Sequence, residues 1–206
     1  MENKVYWDNY YKNLKPGVLI PSQFAVFVAN EIKNFDHIIE FGCGNGRDTS
    51  FFSRIGLHVL AIDSSEFAIK LAKEHSLEDY ASFLCKDILS LQENDFKELI
   101  SKDIPFLCYA RFFLHSISSE VEAYLLKLLS TICKKDSVLA LEFRTEKDLF
   151  LQKETDTHFR RFISPIKFIN TLNSYSFEPY YFVEGLGYAK HKKDDAYVAR
   201  ILAKKI

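Results

Sequence analysis

The sequence predicts an α/β fold, with a mostly parallel seven-stranded sheet between two layers of helices and a C-terminal antiparallel hairpin at one edge. Three observations carry this. Short apolar runs alternate with amphipathic helical patterns from residue 37 to residue 143. A glycine turn, Gly42-Cys43-Gly44-Asn45-Gly46, follows the first run and opens a helix, and the second run ends in an acid, Asp63. Alternating strands and helices with short connections imply parallel pairing, right-handed crossovers and helices on both faces.

In order, Val5 to Leu14 groups Tyr6, Trp7, Tyr10 and Tyr11 at helical spacing before Lys15-Pro16-Gly17 breaks the pattern. This aromatic helix either packs on the surface or lies over a pocket with one tyrosine facing the ligand. A second helix runs from Pro21 to about Lys33, with Phe24, Phe27, Val28 and Ile32 on one face. The strand candidates are His37 to Phe41, His58 to Ile62, Ala81 to Cys85, Phe106 to Ala110 and Ser137 to Phe143. Between them lie helices at Arg47 to Ile55 (closed by Gly56), Glu66 to Glu74 (capped by Ser64 or Ser65), Leu91 to Ile100, and Ser118 to Cys133 (capped by Ser118 or Ser119). Arg144 to Ile163 is polar and aperiodic, the kind of long loop that often carries function. Ser164-Pro165 starts a helix to about Leu172, and strands at Tyr180 to Glu184 and Ala196 to Ala203 form the final hairpin around Gly185-Leu186-Gly187 and the polar run His191 to Asp195.

Composition sets the class. With 206 residues, 19 Phe and 11 Tyr, the chain can bury a full core, and residues 1–206 read as one domain with 1–35 as an N-terminal helical lid. The 27 basic and 28 acidic residues leave a net charge of -1, so no global field attracts a polyanion. Cys43, Cys85, Cys108 and Cys133 form no CxxC pair and lie in or beside apolar runs, so they are expected as buried thiols, with no metal site. No run reaches the length of a membrane span and the first residues lack a signal peptide's apolar region, which predicts a cytoplasmic protein without a membrane partner.

The glycine turn is GxGxG rather than GxGxxG, because Arg47 stands where a dinucleotide fingerprint has its third glycine. Asp63 follows the first glycine by about 20 residues, the place of a carboxylate that accepts from ribose hydroxyls, so the ligand is expected to carry a ribose. Taken singly, a glycine turn is common in α/β proteins, Asp63 could cap a helix and Asp87 could be a solvated loop residue. Jointly, the chain resembles the class I S-adenosylmethionine-dependent methyltransferases, whose first motif, acidic-x-Gly-x-Gly-x-Gly, matches Glu40 to Gly46. The resemblance extends to Asp63, to Asp87 after the third strand, and to the strand count.

That resemblance implies a Rossmann-like three-layer sandwich, S-adenosyl-L-methionine as cofactor, and methyl transfer as the activity. It puts Gly42, Gly44 and Gly46 against the methionine part of the cofactor, Asp63 on the ribose hydroxyls, and Asp87 with Ile88 beside the adenine. Glu40, Cys43, Ser64 and Ala110 complete the expected cofactor contacts.

Acceptor residues are expected after the fourth and fifth strands. Tyr109-Ala110-Arg111-Phe112-Phe113-Leu114-His115 holds a guanidinium and an imidazole, the two catalytic candidates. His115 is either a general base or a loop histidine bonded to backbone, and Arg111 contacts cofactor, substrate or a carboxylate across the sheet top. Arg144, His158, Arg160 and Arg161, in segments rich in aromatics, suit an anion, or else Arg160 and Arg161 pair with Glu142, Glu146 or Asp148 and only fasten the loop. Tyr11 and Gln23 complete the expected substrate contacts. The arrangement is similar to small bacterial methyltransferases of surface-polysaccharide and phosphorylated-precursor pathways. The expected reaction is therefore methylation of an oxygen, or secondarily a nitrogen, of a small anionic or phosphorylated metabolite or sugar derivative, by a monomer or homodimer. No Asn-Pro-Pro-Tyr motif follows the fourth strand, which together with the charge balance disfavours nucleic acid. The alternatives are an RNA or protein methyltransferase and a non-catalytic cofactor-binding regulator.

Overall fold

The structure is a computed structural model that describes all residues except 1, 16, 152, 154–157 and 192. Part of the Lys15-Pro16-Gly17 break and of the Arg144 to Ile163 segment lies outside the described residues. Two helices come first, α1 (Glu2–Lys12) and α2 (Gln23–Glu31), followed by the alternation β1 (His37–Phe41), α3 (Arg47–Arg54), β2 (His58–Asp63), α4 (Glu66–His75) and β3 (Ala81–Cys85). A short helix α5 (Lys97–Ser101) leads to β4 (Leu107–Arg111), α6 (Ser119–Ile132), β5 (Val138–Arg144) and α7 (Pro165–Ser174). The chain finishes with β6 (Phe177–Gly185), a two-residue pair β7 (Lys190–His191) and β8 (Asp194–Asp195), and β9 (Val198–Lys205).

The main sheet has the order β3-β2-β1-β4-β5-β9-β6. β9 runs antiparallel to both β5 and β6, as the hairpin pattern predicted, and the other pairs are parallel. Strand order reverses between β1 and β4, so the carboxyl ends of these two strands open the crevice in which such sheets bind ligands. Each strand alternates its side chains between two apolar layers, because both faces are covered. Phe41, Cys108, Leu139 and Ile201 join α6 and α7 on one face, while Ile38, Leu107, Tyr109 and Leu202 join α2 and α3 on the other.

Local chemistry explains the helix starts. Ser22, Ser65 and Ser118 each accept a hydrogen bond from a backbone N–H three residues on, so Ser65 rather than Ser64, and Ser118 rather than Ser119, are the caps. Three expectations need correction. Leu91 to Ile100 is not one helix. Asp87 caps a 3-10 turn at Ile88–Ser90, and Gln92 and Asp95 form a capping box for another at Glu93–Phe96, leaving helix only from Lys97. Competing side-chain caps break the run that its apolar residues suggested. Cys85 is exposed, because β3 is an edge strand, while Cys43, Cys108 and Cys133 are buried thiols as expected. The polar run at His191 to Asp195 contributes to a small ladder rather than a plain connection. Among the described residues no helix is long and apolar enough to cross a membrane.

Candidate active site

Gly42, Gly44 and Gly46 have φ of 69°, 56° and 76°, the left-handed region that a Cβ makes costly. The turn is tied to the neighbouring strand: the Gly42 and Cys43 N–H groups donate to the Ile62 carbonyl at 2.8 and 3.1 Å. The Gly44 N–H donates to one oxygen of Asp63 at 3.0 Å, and the Ser65 N–H to the other at 2.9 Å. Asp63 is thereby aimed across the turn; burial pushes its pKa up, against the pull of these donors. The absent side chains leave room for neighbours. A Cβ on Gly46 would stand 2.7 Å from Ala72 of α4, and one on Gly42 would strike the Phe113 ring. The Tyr11 hydroxyl, from α1, rests on Gly44. Burial first, and then the charge of Asp63, hold that phenol well above its ordinary pKa, so it is neutral.

Beneath the turn, Glu40 accepts from the Thr49 hydroxyl at 2.6 Å and is pushed up to about 8 by burial and by Asp48. Asp48 accepts from the Ser22 N–H and hydroxyl, both at 2.7 Å, and from the Tyr109 phenol at 2.8 Å. One carboxylate thus joins the α2 cap, the start of α3 and the middle of β4. None of these partners was marked by the sequence, because the contacts span 26 and 61 residues.

A second polar cluster lies past β4 and β5. Phe112 sits at φ 53°, its N–H donating to the Glu142 carbonyl at 2.8 Å. The Arg111 and Arg144 guanidiniums lie 4.5 and 5.2 Å from its ring centre, and the His115 ring meets it edge-on at 5.2 Å. Glu142, fully buried, accepts from Arg111 at 2.9 Å and Arg200 at 2.8 Å, and burial still holds its pKa up against both cations. Arg144 pairs with Asp148 at 2.7 Å and Asp194 at 2.5 Å, and Lys153 also reaches Asp148. His115 is buried; its Nδ1 accepts from the Arg144 backbone N–H at 3.3 Å. Burial, reinforced by Arg144 and Arg160, holds its pKa well below 6.5, so the ring is neutral and carries its hydrogen on Nε2. Arg160 is half-buried, with Nη2 3.3 Å from His158 Nδ1, and burial and Arg144 draw its pKa down. His158 in turn stacks on Tyr6 at 4.3 Å and meets Trp7 edge-on at 5.1 Å, so α1 touches both this cluster and the glycine turn.

A family model described as a methyltransferase domain matches residues 38–135, just under half of the chain, from β1 to the end of α6. That span holds the glycine turn, Asp63 and the end of β4. This part of the chain is therefore similar to a methyltransferase domain. Solved structures share its fold. An S-adenosylmethionine-dependent methyltransferase from Anabaena variabilis is 21% identical with a TM-score of 0.77, over 98% of this chain and 93% of that one. The magnesium protoporphyrin IX methyltransferase of Synechocystis, with bound S-adenosylmethionine, is 13% identical at 0.66, over 100% and 98%. The 1,6-didemethyltoxoflavin-N1-methyltransferase of Burkholderia thailandensis is 16% identical at 0.63, over 88% and 76%. No curated protein matches the chain.

The site suits S-adenosylmethionine, the cofactor bound in the Synechocystis structure. The carboxylate of Asp63 has lone pairs beyond those its two backbone donors occupy, and Asp8 of α1 faces it closely enough to raise its pKa. Such an acceptor-rich end matches a ligand bearing hydroxyl donors and positive charge. Of the residues expected around the cofactor, Gly42, Cys43, Gly44, Gly46, Asp63 and Ser64 lie at the turn and the end of β2, Glu40 lies beneath it, and Ala110, next to last in β4, pairs with Phe41. Asp87 is exposed and accepts from the Leu89 N–H, while Ile88 is buried.

The acceptor set divides. Arg111, His115, Arg144, His158 and Arg160 come together around and beside Phe112. Arg161 is used elsewhere: it donates to the carbonyls of Ile117 and Leu114 and pairs with Glu122 at 2.7 Å, fastening the loop to α6. Tyr11 belongs to the glycine turn rather than the arginine cluster. Gln23 starts α2, and its amide nitrogen faces the Gly187 carbonyl at 3.2 Å. The sequence reading missed Asp48, Asp194 and Arg200, and it gave Tyr109 no role of its own.

Proposed function

We propose that the chain is an S-adenosylmethionine-dependent methyltransferase that acts on an oxygen of a small anionic acceptor, such as a phosphorylated or carboxylated metabolite or sugar derivative. The observation that carries this reading is the charge at the ends of β4 and β5. The guanidiniums of Arg111, Arg144, Arg160 and Arg200 and the ammonium of Lys153 gather around the carboxylates of Glu142, Asp148 and Asp194. The cationic excess is partly desolvated, which favours an anion that can pair with it. Arg160 is the proposed anchor, because it stands at the edge of the cluster and is repelled by Arg144. Arg111 and Arg144, already paired, are proposed to shape the wall and set its potential.

When bound, S-adenosylmethionine supplies a sulfonium methyl activated for in-line displacement. The protein's task is to align a nucleophile with it. The glycine turn and Asp63 are proposed to fix the cofactor, with Asp87 and Ile88 toward the adenine. His115, neutral with its hydrogen on Nε2, is suited to donate to the acceptor rather than to take its proton. This favours a nucleophilic oxygen that is already ionised.

Calorimetry with S-adenosylmethionine tests the cofactor half: wild type binds, and Asp63→Ala loses most of its affinity. Unchanged binding in that variant would sink the assignment. For the acceptor half, a methyl-transfer screen of phosphorylated and carboxylated sugars is paired with Arg160→Ala and His115→Ala. Both variants are expected to keep cofactor affinity and lower turnover, and a loss of cofactor affinity instead would move these residues to the other half of the site.

A further inference from the structure

The lid helix presents an unexplained carboxylate to the cofactor site. Asp8 Oδ1 is buried and has no hydrogen-bond partner. A buried acceptor left without a donor is costly, and such groups in native proteins usually await a ligand or water. Helical spacing puts Asp8 on the same face as Tyr11 and Lys12, three and four residues on. Tyr11 rests on Gly44, and Lys12 stands 5.8 Å over the Phe67 ring of α4. The shared face therefore looks onto the turn and the helix that follow β1 and β2, where Asp63 lies. The proximity is electrostatically visible, since Asp8 contributes to raising both Asp63 and Cys85, at the ends of β2 and β3.

We infer that Asp8 is a cofactor-binding residue contributed by α1, whose carboxylate accepts, together with Asp63, the hydroxyl hydrogens of the cofactor's ribose. The inference rests on the cofactor reading above. Two carboxylates that face each other repel until donors lie between them, and a vicinal diol offers two. A metal cation fits less well, because both Asp63 oxygens already receive backbone N–H dipoles whose positive ends would oppose it. Among the described residues no group of three or more His, Cys, Asp or Glu is disposed to hold a metal. Cofactor binding would then draw α1 onto the site. The same helix carries Tyr6 and Trp7 against His158, so a filled cofactor site would also brace the edge of the arginine cluster.

The test is calorimetry and thermal unfolding of the full chain with S-adenosylmethionine and S-adenosylhomocysteine, comparing wild type, Asp8→Asn, Asp8→Ala and Asp63→Asn. Removing a hydrogen bond to a charged group is expected to weaken both ligands about tenfold or more in Asp8→Ala. Asp8→Asn is expected to lose a similar amount, and the double variant with Asp63→Asn to lose less than the two single losses combined, because the two side chains share the diol. The unliganded Tm of the Asp8 variants should stay level or rise, since an unsatisfied group has been removed; a merely structural Asp8 would lower it. Unchanged affinity in both Asp8 variants, with Asp63→Asn impaired, overturns this inference and leaves the cofactor reading intact. A loss confined to S-adenosylmethionine overturns the ribose assignment, because it points to the sulfonium charge. If wild type binds neither ligand, the cofactor reading itself fails.

Discussion

Glu40→Gln tests the electrostatics under the glycine turn. Glu40 is buried and accepts one hydrogen bond, from Thr49, and burial beside Asp48 pushes its pKa from an ordinary 4.5 to about 8. The folded protein therefore holds this proton at neutral pH, whereas the unfolded chain releases it. A pKa raised on folding gives stability that is fully present below about 4.5 and fades as pH rises through about 8. Over that window the loss at pH 7 is on the order of 3 kcal/mol, approaching 5 at higher pH. Glutamine has the shape of the protonated acid and does not titrate. Urea unfolding of wild type and variant at about pH 5, 6, 7 and 8 isolates the effect as a difference, which removes the contributions of Asp63, Glu142 and His115 common to both. Relative to Glu40→Gln, wild type should lose stability steadily from about pH 5 to 8. A difference that is flat with pH, or that grows in favour of wild type, would refute the assignment of a neutral Glu40.

Two further variants separate packing from ligand contact. Gly46→Ala forces a Cβ to within 2.7 Å of the Ala72 backbone at φ 76°, and should cost on the order of 2 to 4 kcal/mol, read as a lowered urea midpoint with unchanged slope. Arg161→Ala strips two carbonyls and Glu122 of their donor and should lower stability by about 1 to 3 kcal/mol while leaving the affinity for S-adenosylmethionine untouched, the opposite pattern to Asp63→Ala.

The sequence by itself determined the sheet, the order of its elements along the chain and the conformation of the glycine turn. Those depend on properties that neighbouring residues set together: a two-residue alternation, a serine three residues before the N–H it caps, and glycines where φ must be positive. Asp63 was legible for the same reason, as a carboxylate at a fixed distance along the chain from the turn it serves. The run from Leu91 to Ile100 failed because local signals conflicted, apolar spacing on one side and the caps at Asp87 and Gln92 on the other.

Only the tertiary structure decided which of the charged residues are already spoken for. Arg144 finds Asp194 fifty residues away, Arg111 and Arg200 share Glu142, and Arg161 turns to α6. In the sequence these arginines look alike, because a guanidinium will pair with whichever carboxylate the fold brings within reach. The position of Tyr11 over the turn has the same origin. It follows from how α1 docks against α4, a contact set by long-range burial that no spacing along the chain encodes.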